Sequence, residues 1–191
     1  MTSVEEIKEF VEMDGEDSPG KFIAELEDAL VGCVERFGAY NFCPLYDAQE
    51  SLNVILKNNP YGVEKAIEVL QGYKRQALER KEFFFVTGFC SGDYKENVKR
   101  ILEANEEATT ADGMEKFLVG MVEGYENHPI ALYDRDLYID ALAKEFVENP
   151  VEGCEHDDPY TDAEEWYNYN VIGAWVGHGT PAFALISRFK S

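Results

Sequence analysis

The sequence predicts a mainly α-helical fold, a compact domain of about seven or eight helices, and three observations lead there. Apolar residues recur at steps of three and four through most of the chain. Helix-start residues precede those stretches, and Gly, Asn or Pro close them. Strand character is confined to 83–87 and 182–189, which are expected to form at most a minor two-stranded β element.

The first predicted helix carries Val4, Ile7, Phe10 and Val11 on one side and Glu5, Glu9, Glu12 and Glu16 on the other. Ser18-Pro19 then supplies an N-cap and a first-turn proline. The helix expected from it has Phe22, Ile23, Leu26, Leu30, Cys33, Val34 and Phe37 inward, with Gly38 as its stop. Asp47 and Glu50 form a capping-box pattern before Leu52, Ile55 and Leu56, a short helix ended by Asn58-Asn59-Pro60.

Val63, Ile67, Leu70, Tyr73 and Leu78 mark a longer helix, and Phe83 to Thr87 fits either its end or a strand. Beyond Ser91-Gly92, one helix is expected around Tyr94, Val98, Ile101 and Leu102. Another is expected around Met114, Phe117, Leu118, Met121, Val122 and Tyr125. Tyr133, Leu137, Ala141, Leu142 and Phe146 mark the next, which stops before Asn149-Pro150. Thr161 and Glu164 read as a second capping box for a helix turning Trp166, Tyr169, Ile172 and Trp175 inward.

No internal repeat, low-complexity tract or linker stands out, so residues 1–191 read as one domain with an acidic loop at about 148–161. The apolar share, 45%, is enough to build a core despite the charge. The N-terminal residues are acidic and amphipathic, unlike a signal or transit peptide. Apolar runs fall far short of the ~20 residues that cross a bilayer. A cytoplasmic protein with no membrane association is expected.

The formal net charge is -21, and its placement is uneven. Residues 1–56 carry -10, 57–100 carry +3 and 101–191 carry -14. Two acidic zones therefore flank a middle segment whose basic residues, including Lys74, Arg75, Arg80 and Lys81, alternate with Glu64, Glu68, Glu79 and Glu82. That alternation reads as a solvated helix face and not as a nucleic-acid contact.

Motifs for chemistry are sparse. Cys33, Cys43, Cys90 and Cys154 are too scattered for a CxxC site or a disulfide framework and read as reduced thiols. Gly177-His178-Gly179-Thr180-Pro181-Ala182 has the letters of a dinucleotide fingerprint, but too little chain follows it, and Pro181 removes an N–H. No cofactor is expected. Cys154, His156, Asp157 and Asp158 are the best metal candidates, although they lack the pattern of an EF-hand or a zinc module. Cys90, Ser91, His128, His156 and His178 have no nucleophile signature around them, so no catalytic residue is assigned.

Two readings from different classes follow. In the first, a non-enzymatic acidic protein mimics DNA, presenting carboxylates to the basic groove of a nucleic-acid-binding protein without touching nucleic acid itself. Glu5, Glu9, Glu12, Glu16, Glu25, Asp28 and Glu35, with Glu148, Glu152, Glu155, Asp157, Asp158, Asp162 and Glu165, would make the contact. In composition alone it resembles the small acidic inhibitors with which phages and mobile elements block restriction or CRISPR nucleases, an anti-defence role. The alternative is a small metal-dependent enzyme, or an acidic helical accessory protein that binds through aromatics.

Overall fold

The computed structural model describes residues 4–12, 20–35, 42–58, 62–90, 93–123, 128–150, 158–174 and 176–187. Its centre is a closed six-stranded barrel, which overturns the expected mainly α architecture with a minor β element. The strands are β1 (Leu30–Glu35), β2 (Phe42–Asp47), β3 (Phe84–Phe89), β4 (Leu118–Glu123), β5 (Pro129–Asp134) and β6 (Ala182–Ile186). The helices are α1 (Val4–Glu12), α2 (Ala48–Asn58), α3 (Val63–Arg80), α4 (Tyr94–Ala104), α5 (Arg135–Glu148) and α6 (Pro159–Tyr167). Each lies close to a segment where helical spacing was read.

The corrections are specific. The helix expected over Phe22–Phe37 is a 3-10 turn, Ala24–Ala29, leading into β1. The one expected from Met114 is a 3-10 turn, Glu115–Phe117, leading into β4. Segments 83–87 and 182–189 do contain strands, but β3 pairs with β2 and β4, and β6 with β1 and β5, so they never meet. The physical cause is burial on both faces. A barrel strand under a helix layer faces the barrel interior with one side and the helices with the other, so it loses the apolar–polar alternation that marks a half-exposed strand.

Val31, Val34, Leu45, Val86, Val122, Ile130, Leu132, Ala182 and Ala184 pack the barrel interior as one cluster. The outward side chains of β1 to β3 join α1, α2 and α3 in a second cluster, with Cys33, Tyr46 and Phe85 among them. Ala131, Tyr133 and Phe183 join residues of α4, α5 and α6 in a third. A small barrel filled by branched side chains is a packed core and not a channel.

The connectivity repeats after three strands. β1 and β2 are antiparallel, as are β4 and β5; β2–β3 and β5–β6 are parallel pairs, each crossing over through two helices. α1 lies on β1 and β2, and α4 lies on β4 and β5. The chain is thus a tandem pair of units with the order helix, 3-10 turn, hairpin, two helices, strand.

Matching residues repeat with the units, which corrects the reading that no repeat is present. Leu30–Glu35 reads LVGCVE and Leu118–Glu123 reads LVGMVE; Leu45-Tyr46-Asp47 is matched by Leu132-Tyr133-Asp134. Asp47 accepts from the Gln49 and Glu50 amides at the start of α2, as the capping pattern predicts, and Asp134 accepts from the Leu137 amide at the start of α5. The Tyr46 hydroxyl accepts from the Ile23 amide at 2.8 Å, and the Tyr133 hydroxyl from the Ala111 amide at 3.0 Å.

Candidate functional site

Closure of the barrel decides where the charge goes. β1 pairs with β6, and β3 pairs with β4 on the opposite side of the ring. α1, from the first acidic zone, lies on β1 and β2; α5, from the second, lies on β6. α6 packs on α5, and its Tyr167 reaches β1 at Glu35. α1 of the first acidic zone and α5 and α6 of the second therefore flank the β1–β6 junction, while α3 packs on β3, and α4, which runs from the basic middle segment into the second zone, packs on β4 and β5.

On the α1 side, Glu5, Glu9 and Glu12 are exposed, as are Glu25 and Asp28 on the neighbouring 3-10 turn. An ion pair between Lys8 and Glu27 holds these two elements together. The Lys8 ammonium is raised above its ordinary value by its hydrogen bond to Glu27, against an opposing effect of desolvation, with the charges of Glu27, Glu5 and Glu12 adding to the rise.

On the α5–α6 side, Glu148, Asp158 and Glu165 are exposed and Asp162 is half-buried. The Tyr160 hydroxyl is pushed up by partial burial and by Asp136, Glu164 and Asp140, with Arg135 opposing. Asp158 caps α6, accepting from the Thr161 amide and hydroxyl, and those bonds hold its carboxyl below the usual aspartate range. The helix therefore starts before the predicted Thr161, with Pro159 in its first turn. Glu16, Glu152, Glu155 and Asp157 lie outside the described residues, as do Ser18-Pro19, Gly38, Cys154, His156 and Trp175.

Glu35 leaves the predicted surface. It is 3% exposed, and its Oε2 accepts from Arg135 Nε at 3.1 Å and from the Tyr167 hydroxyl at 2.8 Å. The same guanidinium also pairs with Glu164 and Asp136, and its carbon sits 5.2 Å from the centre of the Tyr167 ring. Burial raises the Glu35 carboxyl above its ordinary value, with Arg135 and Tyr167 opposing. Burial alone would lower Arg135, but Glu35, Glu164 and Tyr167 together raise it. This clasp ties α5 and α6 to β1 and is structural, because all its groups are mutually satisfied.

At the matching place in the second unit, Glu123 pairs with Lys74 of α3 at 2.7 Å. Sequence reasoning missed both clasps. The signal was the glutamate that ends each copy of LVG-x-VE.

For metal and redox chemistry the described residues offer little. No group of three or more His, Cys, Asp or Glu is placed to hold an ion among them. Cys33 and Cys43 are buried free thiols, and burial pushes Cys33 far up, which keeps it from forming a thiolate. Gly177-His178-Gly179 forms a turn in which the Thr180 amide donates to the Gly177 carbonyl, and the Thr109 amide donates to the Gly179 carbonyl.

Among the described residues, no helix is long and apolar enough to cross a membrane. Comparison of the chain with protein-family models, curated proteins and solved structures finds no match.

Proposed function

We propose that this is a non-enzymatic acidic binding protein that docks carboxylates of the β1–β6 junction into the basic groove of a nucleic-acid-binding protein. The observation that carries this reading is that α1 of the first acidic zone and α5–α6 of the second, distant in sequence, lie either side of one barrel junction. The basic middle segment supplies α3 and most of α4, which pack on β3, β4 and β5.

A groove built to neutralise phosphates draws any folded polyanion into fast, salt-sensitive association. Carboxylates fixed on helices around a packed barrel lose little further freedom on docking. Under this reading the protein acts in the cytoplasm, where reduced thiols such as Cys33 and Cys43 persist.

The test is a pull-down of tagged protein from host extract at low and at ~0.5 M salt, with DNA as competitor. Retention of a nucleic-acid-binding protein that salt and DNA both release is expected. Reversing Glu5, Glu9, Glu12, Asp162 and Glu165 together to Lys should abolish it, whereas single reversals should do little. A partner held regardless of salt, DNA and those reversals would refute the reading.

A further inference from the structure

The sequence reading turned Trp166 and Tyr169 inward; the helix turns Ala163 and Tyr167 inward instead. Trp166 is 40% and Tyr169 86% exposed, and with Asp162 and Glu165 they follow helical steps of three and four along one outer stripe. Large aromatics on a soluble surface are unusual enough to mark contact sites when they cluster with polar groups.

The rings of the stripe have no counterpart in the first unit, where Glu68 stands in the place of Glu165. Ala66 and Leu70 of α3 are buried as Ala163 and Tyr167 are, so Lys65, Val69 and Gly72 occupy the places of Asp162, Trp166 and Tyr169. α3 also runs on as a regular helix, whereas α6 passes at Asn168 into a π-helical turn, Asn168–Ile172, that carries Tyr169. Such turns recur at functional sites.

The inner side of α6 shows what rings and carboxylates on this scaffold can hold. There, one guanidinium lies against the Tyr167 ring while Glu35 and Glu164 take its N–H groups. The outer stripe offers the same two ingredients to solvent, the exposed Trp166 and Tyr169 rings and the exposed Glu165 carboxylate.

We infer that the outer stripe of α6 and its π-helical turn is an arginine-reading contact, in which guanidinium groups of the basic partner stack on Trp166 and Tyr169 and pair with Glu165. The inference rests on the proposed function and deepens it. Arginine is preferred to lysine because a planar guanidinium stacks on a ring and bridges a carboxylate through paired N–H groups, which a compact, strongly hydrated ammonium does less well.

The test is titration of the full-length protein with oligoarginine and oligolysine peptides of equal length at low ionic strength. Wild type should bind oligoarginine at least about fivefold more tightly. Trp166→Ala with Tyr169→Ala should bring that ratio near one while leaving oligolysine affinity in place. Trp166→Phe, which keeps a ring, should retain most of the preference. Both side chains are on the surface, so far-UV circular dichroism should not change.

An arginine preference that survives the double substitution, or its absence from wild type while both peptides bind, overturns this inference and leaves the acidic-docking reading standing. Failure of wild type to bind either peptide overturns both.

Discussion

Arg135 and Glu35 stand a hundred residues apart in the chain and 3.1 Å apart at Nε and Oε2, and neither is more than 9% exposed. The pair joins the first strand to the first helix of the second unit's crossover, so it acts as a cross-link between the two halves. A buried ion pair adds little net stability, but removing one partner strands the other's charge. Arg135→Ala should therefore cost about 3–5 kcal/mol. Replacing Glu35 by Leu and Arg135 by Met together should cost far less. Urea denaturation midpoints at neutral pH check both, and a single-variant loss no larger than the double's would contradict the account.

Glu35 also predicts a pH dependence. Burial raises its carboxyl above the ordinary glutamate value of 4.5, despite the opposing pull of Arg135 and Tyr167. The folded state consequently holds this proton more tightly than the unfolded chain does. The stability it contributes is complete below the unfolded value and is lost as pH rises through the folded one. Wild type should lose stability relative to Glu35→Gln across the mildly acidic range as pH increases. A difference that stays flat or grows with pH would count against it.

The helices were legible in the sequence because each shows one face to solvent, and α2 also carries its own start signal in Asp47. β3 and β6 were legible as strand character, but the hairpin strands were not, because LVGCVE and LVGMVE are apolar on both sides and their spacing satisfies a helical reading equally well. The acidic zones were legible as composition, but not Glu35, whose spacing on a helix that does not exist put it among solvated carboxylates. Trp166 and Tyr169 were assigned inward because α6 carries aromatics on two adjacent stripes, and periodicity cannot choose between stripes one residue out of phase. The repeat lay in plain letters at both hairpins, diluted by crossovers of different length and sequence.

The paired tyrosines give a prediction that needs both units. Tyr46 and Tyr133 are fully buried, and each hydroxyl accepts from an amide of the segment leading to its own hairpin, Ile23 and Ala111 respectively. Burial, outweighing the opposing Ile23 bond, pushes the Tyr46 hydroxyl up to about 12. Tyr46→Phe and Tyr133→Phe each leave a backbone N–H without its partner and should each cost about 1–3 kcal/mol. The two sit in separate helix-facing clusters, so the costs should add. Thermal or urea melts of the two single variants and the double variant measure this, and a double variant no worse than either single would refute it.

The last prediction concerns the two glycines at the strand bulges. Gly32 follows a register shift between β1 and β2, and Gly120 follows the corresponding shift between β4 and β5. A Cβ at Gly32 would lie 2.1 Å from the Leu185 carbonyl oxygen, and one at Gly120 would lie 2.4 Å from the Gly88 carbonyl oxygen. Both obstacles are backbone of the adjacent strand, so neither can swing aside as a side chain would, and the barrel must open locally to admit even a methyl group. Gly32→Ala and Gly120→Ala should each destabilise by at least about 1–3 kcal/mol, by similar amounts. Gly72, in open space on α3, should accept Ala with no loss and a small gain in helix propensity. Denaturation of the three variants side by side tests the close approach itself: equal tolerance at all three positions would mean that the strands at the two bulges are not as near as the barrel places them.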